Sequence, residues 1–99
     1  MNDNITTVKG KYLDYKGKPL VRESNTICYG HMTDSHILIL TILSQKTVGG
    51  HEIPDQVLVQ VLSTDKSKPE PERIVKQDLK KSLFEAFDIG MIWLERAGN

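Results

Sequence analysis

Cys28, His31, Asp34 and His36 crowd into one short segment, ICYGHMTDSH. A thiol, two imidazoles and a carboxylate are the groups that hold zinc or run nucleophilic chemistry. The spacing Cys-x2-His-x4-His offers three ligands, whereas a structural zinc site takes four, usually as two pairs. Asp34 and His51 are the only other donors to consider. His51 adjoins the Gly49-Gly50 pair, a hairpin's length from His36 at about 3.3 Å per residue. Asp34 suits a turn. A Cys28 thiolate activated by His31 or His36 would also need an orienting group and an oxyanion pocket, which the sequence does not offer. There is no P-loop, no GxGxxG and no HExxH. The segment reads as a connector between two strands, with Cys28 a small apolar strand residue. Placing Tyr29 opposite His36 puts Cys28 and His36 on opposite sides of a sheet. No metal, cofactor or catalytic residue is expected, and the chain is not expected to be an enzyme.

The elements that would carry this segment follow from periodicity and turn chemistry. KGKP is a turn leading into a short strand at Leu20–Arg22, and ESN is a turn before NTICY. HILILTILSQ is too short to span a membrane, and its Ile and Thr content favours a buried strand. Gly49-Gly50 accepts the positive φ of a hairpin turn, and DQVLVQVLS is the return strand. Centring the turn there pairs Leu38 with Val61, Leu40 with Val59, Ile42 with Val57 and His36 with Ser63. One face is then almost wholly apolar. The other mixes Ile37, Ile39, Thr41 and Leu43 with Gln56, Leu58, Gln60 and Leu62. A one-residue slip would mix the two faces. Pro54 predicts an irregular or bulged tip.

TDKSKPEPE is a loop. RIVKQ fits a short edge strand, with 72–77 alternatively an extension of the helix that follows. That helix is LKKSLFEAFDIGMIWLERAG, closed by Gly98. Its apolar stripe of Leu79, Leu83, Phe87, Gly90, Leu94 and Ala97 is flanked by Ala86, Ile89 and Trp93 and by Phe84 and Met91. Together they span roughly 200° of the circumference, against about 100° for an ordinary surface helix. A helix so apolar either sinks into its own domain or is shared with a second chain. The expected fold is α+β: an antiparallel sheet of four to five strands with one C-terminal helix packed on one face. Residues 1–10 are expected to be a flexible N-terminus and 11–99 a single domain.

Composition narrows the function classes. The chain has 99 residues, with Lys+Arg and Asp+Glu equal at 13 each. Zero net charge argues against a dedicated duplex binder, which relies on phosphate contacts, and removes a barrier to self-association. The single cysteine excludes an internal disulfide. The opening MNDNITTVKG lacks the apolar stretch of a signal peptide, and no apolar run reaches membrane-spanning length. A cytoplasmic protein without membrane contact is expected.

Two surfaces remain as candidates. A non-catalytic interaction module, self-associating as a homodimer or meeting a protein partner, would use Phe84, Ile89, Met91, Ile92 and Trp93. The alternative is a single-stranded nucleic-acid binder using Lys11, Tyr12, Tyr15, Lys16, Lys18 and Arg22, by charge and base stacking. Lysines there serve equally to guard a sheet edge. The mixed sheet face would be an interaction surface, or would be covered by an N-terminal segment bearing Tyr12, Leu13 and Leu20.

At YKGKPLVR, NTICYG, RIVKQ and FDIGMIWLERA the chain resembles a family of short uncharacterised bacterial proteins. The resemblance spans roughly residues 15–97. It implies a compact domain of unknown function and carries over no activity, cofactor or site residue.

Overall fold

The computed structural model describes residues 11–97, with side chains from Leu13 onward. The expected flexible segment 1–10, the closing Gly98 and the side chains of Lys11 and Tyr12 lie outside the described residues. Six strands are present, not four to five: β1 (Lys11–Tyr15), β2 (Lys18–Glu23), β3 (Thr26–Tyr29), β4 (His36–Val48), β5 (His51–Ser63) and β6 (Ile74–Lys80). They form one antiparallel sheet in the order of the sequence. A short helix α1 (Glu70–Arg73) precedes β6, and α2 (Leu83–Ala97) ends the described chain. No helix among the described residues is long and apolar enough to cross a membrane.

Tight turns make this meander possible. Lys16 and Gly17 (φ 52° and 82°) join β1 to β2, and Gly49 and Gly50 (φ 59° and 82°) join β4 to β5. Positive φ at both central residues matches the twist of the strands they connect. The β4–β5 register is the expected one: Leu38 pairs with Val61, Leu40 with Val59, Ile42 with Val57 and His36 with Ser63. Toward the tip the register shifts between Ile42 and Ser44 and again between Ser44 and Gln45. Leu43 and Asp55 are left over on their strands, beside Pro54. The extra strand is β1, where KYLDY pairs as a hairpin with KPLVRE, the strand expected around Leu20–Arg22.

Side chains of a strand alternate between faces, so the pairings define two faces. On one lie Leu20, Ile27, Tyr29, Leu38, Leu40, Ile42, Val57, Val59 and Val61, and α2 covers it. Leu38, Leu40, Val57, Val59 and Val61 are essentially inaccessible to solvent. Burying one such side chain contributes about 1.5–3 kcal/mol. Tyr15, Tyr29 and Phe87 close one flank edge-on, with ring centroids 5.5 to 6.1 Å apart. The Tyr29 hydroxyl donates to the Tyr15 carbonyl at 2.6 Å.

The helix begins later than its periodicity suggests. Leu79, expected on its stripe, belongs to β6. Ser82 starts α2: its hydroxyl accepts from the Glu85 N–H at 3.0 Å, and its carbonyl accepts from Ala86 N–H at 3.1 Å. This is N-cap chemistry, with Glu85 in the first turn. Ala86, Gly90 and Leu94 form the buried line of the helix. Leu83, Phe87, Ile89, Met91, Trp93 and Ala97 pack partly buried beside it. The helix packs over β4, β5 and β6, which buries part of its wide apolar arc and leaves Phe84 exposed.

Gly90 sets how closely the two layers approach. A Cβ there would stand 2.5 Å from one Leu38 methyl and 3.1 Å from a Val59 methyl. Both neighbours are fully buried. Gly90→Ala therefore overpacks the interface by about 1–3 kcal/mol, against a helix-propensity gain of about 1 kcal/mol. Urea unfolding should show a net loss of stability, and Leu38→Ala in the same chain should be less than additive with it. A stabilised single variant would contradict this packing.

Candidate functional site

The segment that opens with Cys28 is a stitched loop, not a ligand cluster. Tyr29 faces Leu38, two residues beyond the expected partner His36, and Cys28 faces Ile39. A shift of two keeps every side chain on its expected face. Cys28 thus lies on the face away from α2, and His36 starts β4 on the same alternation as Leu38. The register moves because Gly30–Ser35 is tied to its surroundings. Gly30 N–H donates to Pro19 C=O at 3.1 Å, and Thr64 N–H donates to Ser35 C=O at 3.0 Å. The Thr64 hydroxyl donates to Asp34 C=O at 2.5 Å. Asp34 closes the loop by accepting from His31 N–H at 3.2 Å. The Ser35 hydroxyl and the His36 Nδ1 are hydrogen-bonded at 2.8 Å. No group of three or more His, Cys, Asp or Glu among the described residues could hold a metal ion.

Electrostatics agree with a structural role. The Lys18 ammonium lies 3.0 Å from Asp34. Its hydrogen bond, with that of His31 N–H, holds the Asp34 carboxyl below the usual carboxylate range. Asp65 is likewise lowered, by hydrogen bonds from the Ser67 side chain and backbone. Burial pushes the Cys28 thiol up, the opposite of an activated nucleophile. Desolvation also raises the Tyr29 phenol.

Of the candidate nucleic-acid residues, Tyr15, Lys16 and Arg22 stay exposed and Lys18 is half-buried, each with a partner inside the chain. Tyr15 packs on Tyr29 and Phe87. The Lys16 ammonium lies 5.5 Å from the Tyr15 ring centroid. Lys18 pairs with Asp34, and Arg22 Nε donates to Ser24 C=O at 3.3 Å. Tyr15, Lys18 and Arg22 lie on the helix side of the sheet by register, with Lys16 in a turn.

The candidate interface on α2 divides in two. Ile89, Met91 and Trp93 are partly buried against the core. Phe84 is 81% exposed and Ile92 40% exposed. The larger apolar surface is the sheet face opposite α2. One row across it runs Val21, Cys28, Ile39, Gln60, Gln77, and the next Thr26, Thr41, Leu58, Leu79. The Gln60 amide donates to the Gln77 amide oxygen at 2.9 Å. These nine residues carry no charge; the charged Glu23 stands at the end of the second row, opposite Thr26. Leu13 and Leu20, expected as part of a cover for this face, sit on the helix side by register, and Leu20 packs on the core there. Among the described residues only α1 stands on the open face, at the corner where Ile39, Gln60, Leu62, Glu70, Pro71 and Ile74 line a dent. The pairing of Ile39 with Gln60 is readable from the sequence, which leaves open whether this face is covered.

No family model matches the chain, and neither the curated proteins nor the solved structures yield a similar chain. The functional reading therefore rests on geometry.

Two measurements check the site. Asp34, with its pKa depressed in the folded state, adds stability above the unfolded carboxylate pKa of about 3.9. That stability disappears as pH falls through the folded value. Lys18→Met should raise the Asp34 carboxyl pKa in an NMR titration and weaken the loss of stability on acidification. An unmoved Asp34 titration would break the assignment. Cys28 should react with a disulfide reagent at neutral pH more slowly than a free cysteine, and a faster reaction would restore the thiolate reading.

Proposed function

We propose that this protein is a non-catalytic interaction module that pairs with a second copy of itself through the open face of its sheet. The observation that carries the proposal is the uncharged, largely apolar double row from Val21 to Gln77 and from Thr26 to Leu79, with no layer over it among the described residues. Exposed apolar patches of this kind mark contact sites. A second copy is the favoured occupant because the surface is matched to itself. An uncharged centre creates no like-charge repulsion when two copies meet, and the whole chain is neutral. A charged partner surface would gain nothing at that centre.

Size sets the strength. Six strands about 4.8 Å apart, over some five residues of length, give a footprint on the order of 400 Å² per copy. Two copies would bury roughly 800 Å² in total, below the about 1,200 Å² at which specific stable interfaces begin, so the dimer is weak and concentration-dependent. The exposed Phe84 and Ile92 lie on the opposite layer and are left free by this arrangement.

Sedimentation equilibrium tests it. The wild-type chain should shift from monomer toward dimer as concentration rises. Ile39→Lys, in the middle of the open face, should hold the chain monomeric with an unchanged far-ultraviolet circular dichroism spectrum, whereas Phe84→Ser should not. A chain that stays monomeric at millimolar concentration would overturn the proposal. A dimer abolished by Phe84→Ser and untouched by Ile39→Lys would move the interface to α2.

A further inference from the structure

Beyond the open face, the helix layer and the last strand enclose a second feature. A cleft of about 210 Å³ lies between β6 and the C-terminal half of α2, lined by Val61, Val75, Lys76, Trp93, Arg96 and Ala97. Its apolar lining comes from two valines, an alanine and an indole. Its charged lining is entirely cationic. The Lys76 ammonium lies 5.2 Å from the Trp93 ring centroid. Among the described residues neither Lys76 nor Arg96 forms an ion pair with a carboxylate; the ion pairs are Lys18–Asp34, Lys46–Asp55 and Lys80–Asp78. A register shift between Val61 and Leu62 sets the β6 edge against the cleft at Val75. Among the described residues no strand lies beyond β6 in the sheet, so its outer backbone groups have no strand partner there.

We propose that this cleft binds a carboxylate attached to a compact apolar body. The apolar body would rest on Val61, Val75 and Trp93, and the carboxylate would pair with Arg96 and Lys76. Arginine suits the task, because its planar fork matches a carboxylate with two parallel hydrogen bonds. The volume sets the scale: it falls below the roughly 300 Å³ at which drug-sized pockets begin, so it admits a body of the size of one side chain. Two sources share this chemistry, a free small acid and the C-terminal residue of an extended peptide. The peptide could also pair along the unpartnered edge of β6, as strand addition does elsewhere. The cleft lies on the helix side of the sheet, so its test is separate from that of the open-face dimer.

Trp93 is the only tryptophan in the chain, which makes its fluorescence a direct reporter. The full chain is titrated at low ionic strength and neutral pH with N-acetyl-leucine, and in parallel with the neutral N-acetyl-leucinamide. The acid should give a saturable change in the millimolar range, as a ligand of this size would. The amide should bind about tenfold more weakly, and Arg96→Gln and Lys76→Gln should each weaken the acid by a similar factor. Both substitutions are on exposed side chains, and circular dichroism verifies that the variants are folded. A pentapeptide ending in leucine distinguishes the sources. Binding at least tenfold tighter than N-acetyl-leucine identifies a chain terminus, and equal affinity identifies a small acid. No saturable change up to tens of millimolar, or equal responses to acid and amide, would overturn the proposal.

Discussion

Everything in this fold hangs on the pairing of β4 with β5. These are the longest strands, and both lie inside the sheet with a neighbour on either side. Their register fixes which side chains meet α2 and which are turned the other way. Because alternation has a period of two, sliding one strand by a single residue would carry Gln60 and Gln56 into the core and Val59 and Val57 out of it. The Gly49-Gly50 turn enforces the register at one end. At the other, Thr64 is tied to Asp34 and Ser35 by backbone and side-chain hydrogen bonds. Between those two anchors, the paired bulges at Leu43 and Asp55 take up the mismatch that Pro54 introduces, and the register is the same on either side of them.

The two faces created by that pairing meet different fates. The valine face receives α2 at a distance set by Gly90, and the helix spreads its apolar arc over the broad sheet. Tyr15, Tyr29 and Phe87 complete the layer where β1 and β3 approach the helix. The opposite face has the same backbone and nearly as many apolar side chains, but among the described residues only α1 stands on it. Its Gln60–Gln77 pair satisfies the amides sideways within the face, which leaves the centre of the face uncharged. The proposed self-association follows from the asymmetry between the layers.

Much of this was legible in the sequence because local signals and long-range patterning agreed. Two glycines and two runs of alternating side chains fixed the central hairpin to the residue. Cys28 was placed on the correct face although its partner was misjudged by two positions, since parity survives an even shift. The rest required tertiary context. KYLDY carries one lysine, one aspartate and a single short alternation, so its edge strand was not distinguishable from loop. The apolar residues of DLKKSLFEAF keep a helical spacing through Leu79, so periodicity ran past the point where Ser82 caps the helix. The side chains of Ile89, Met91 and Trp93 suited a partner surface and the flank of a core equally well. The packing of α2 on the sheet places them partly buried against the core.

Cys28 offers the most direct test of the account, because the sole thiol of the chain lies on the open face, between Val21 and Ile39. Its reaction rate with a neutral thiol reagent can be followed across protein concentration without altering the sequence. If copies pair through this face, the rate should fall as concentration rises and become independent of concentration in Ile39→Lys. A wild-type rate that stays constant from micromolar to millimolar protein would contradict pairing through the open sheet face.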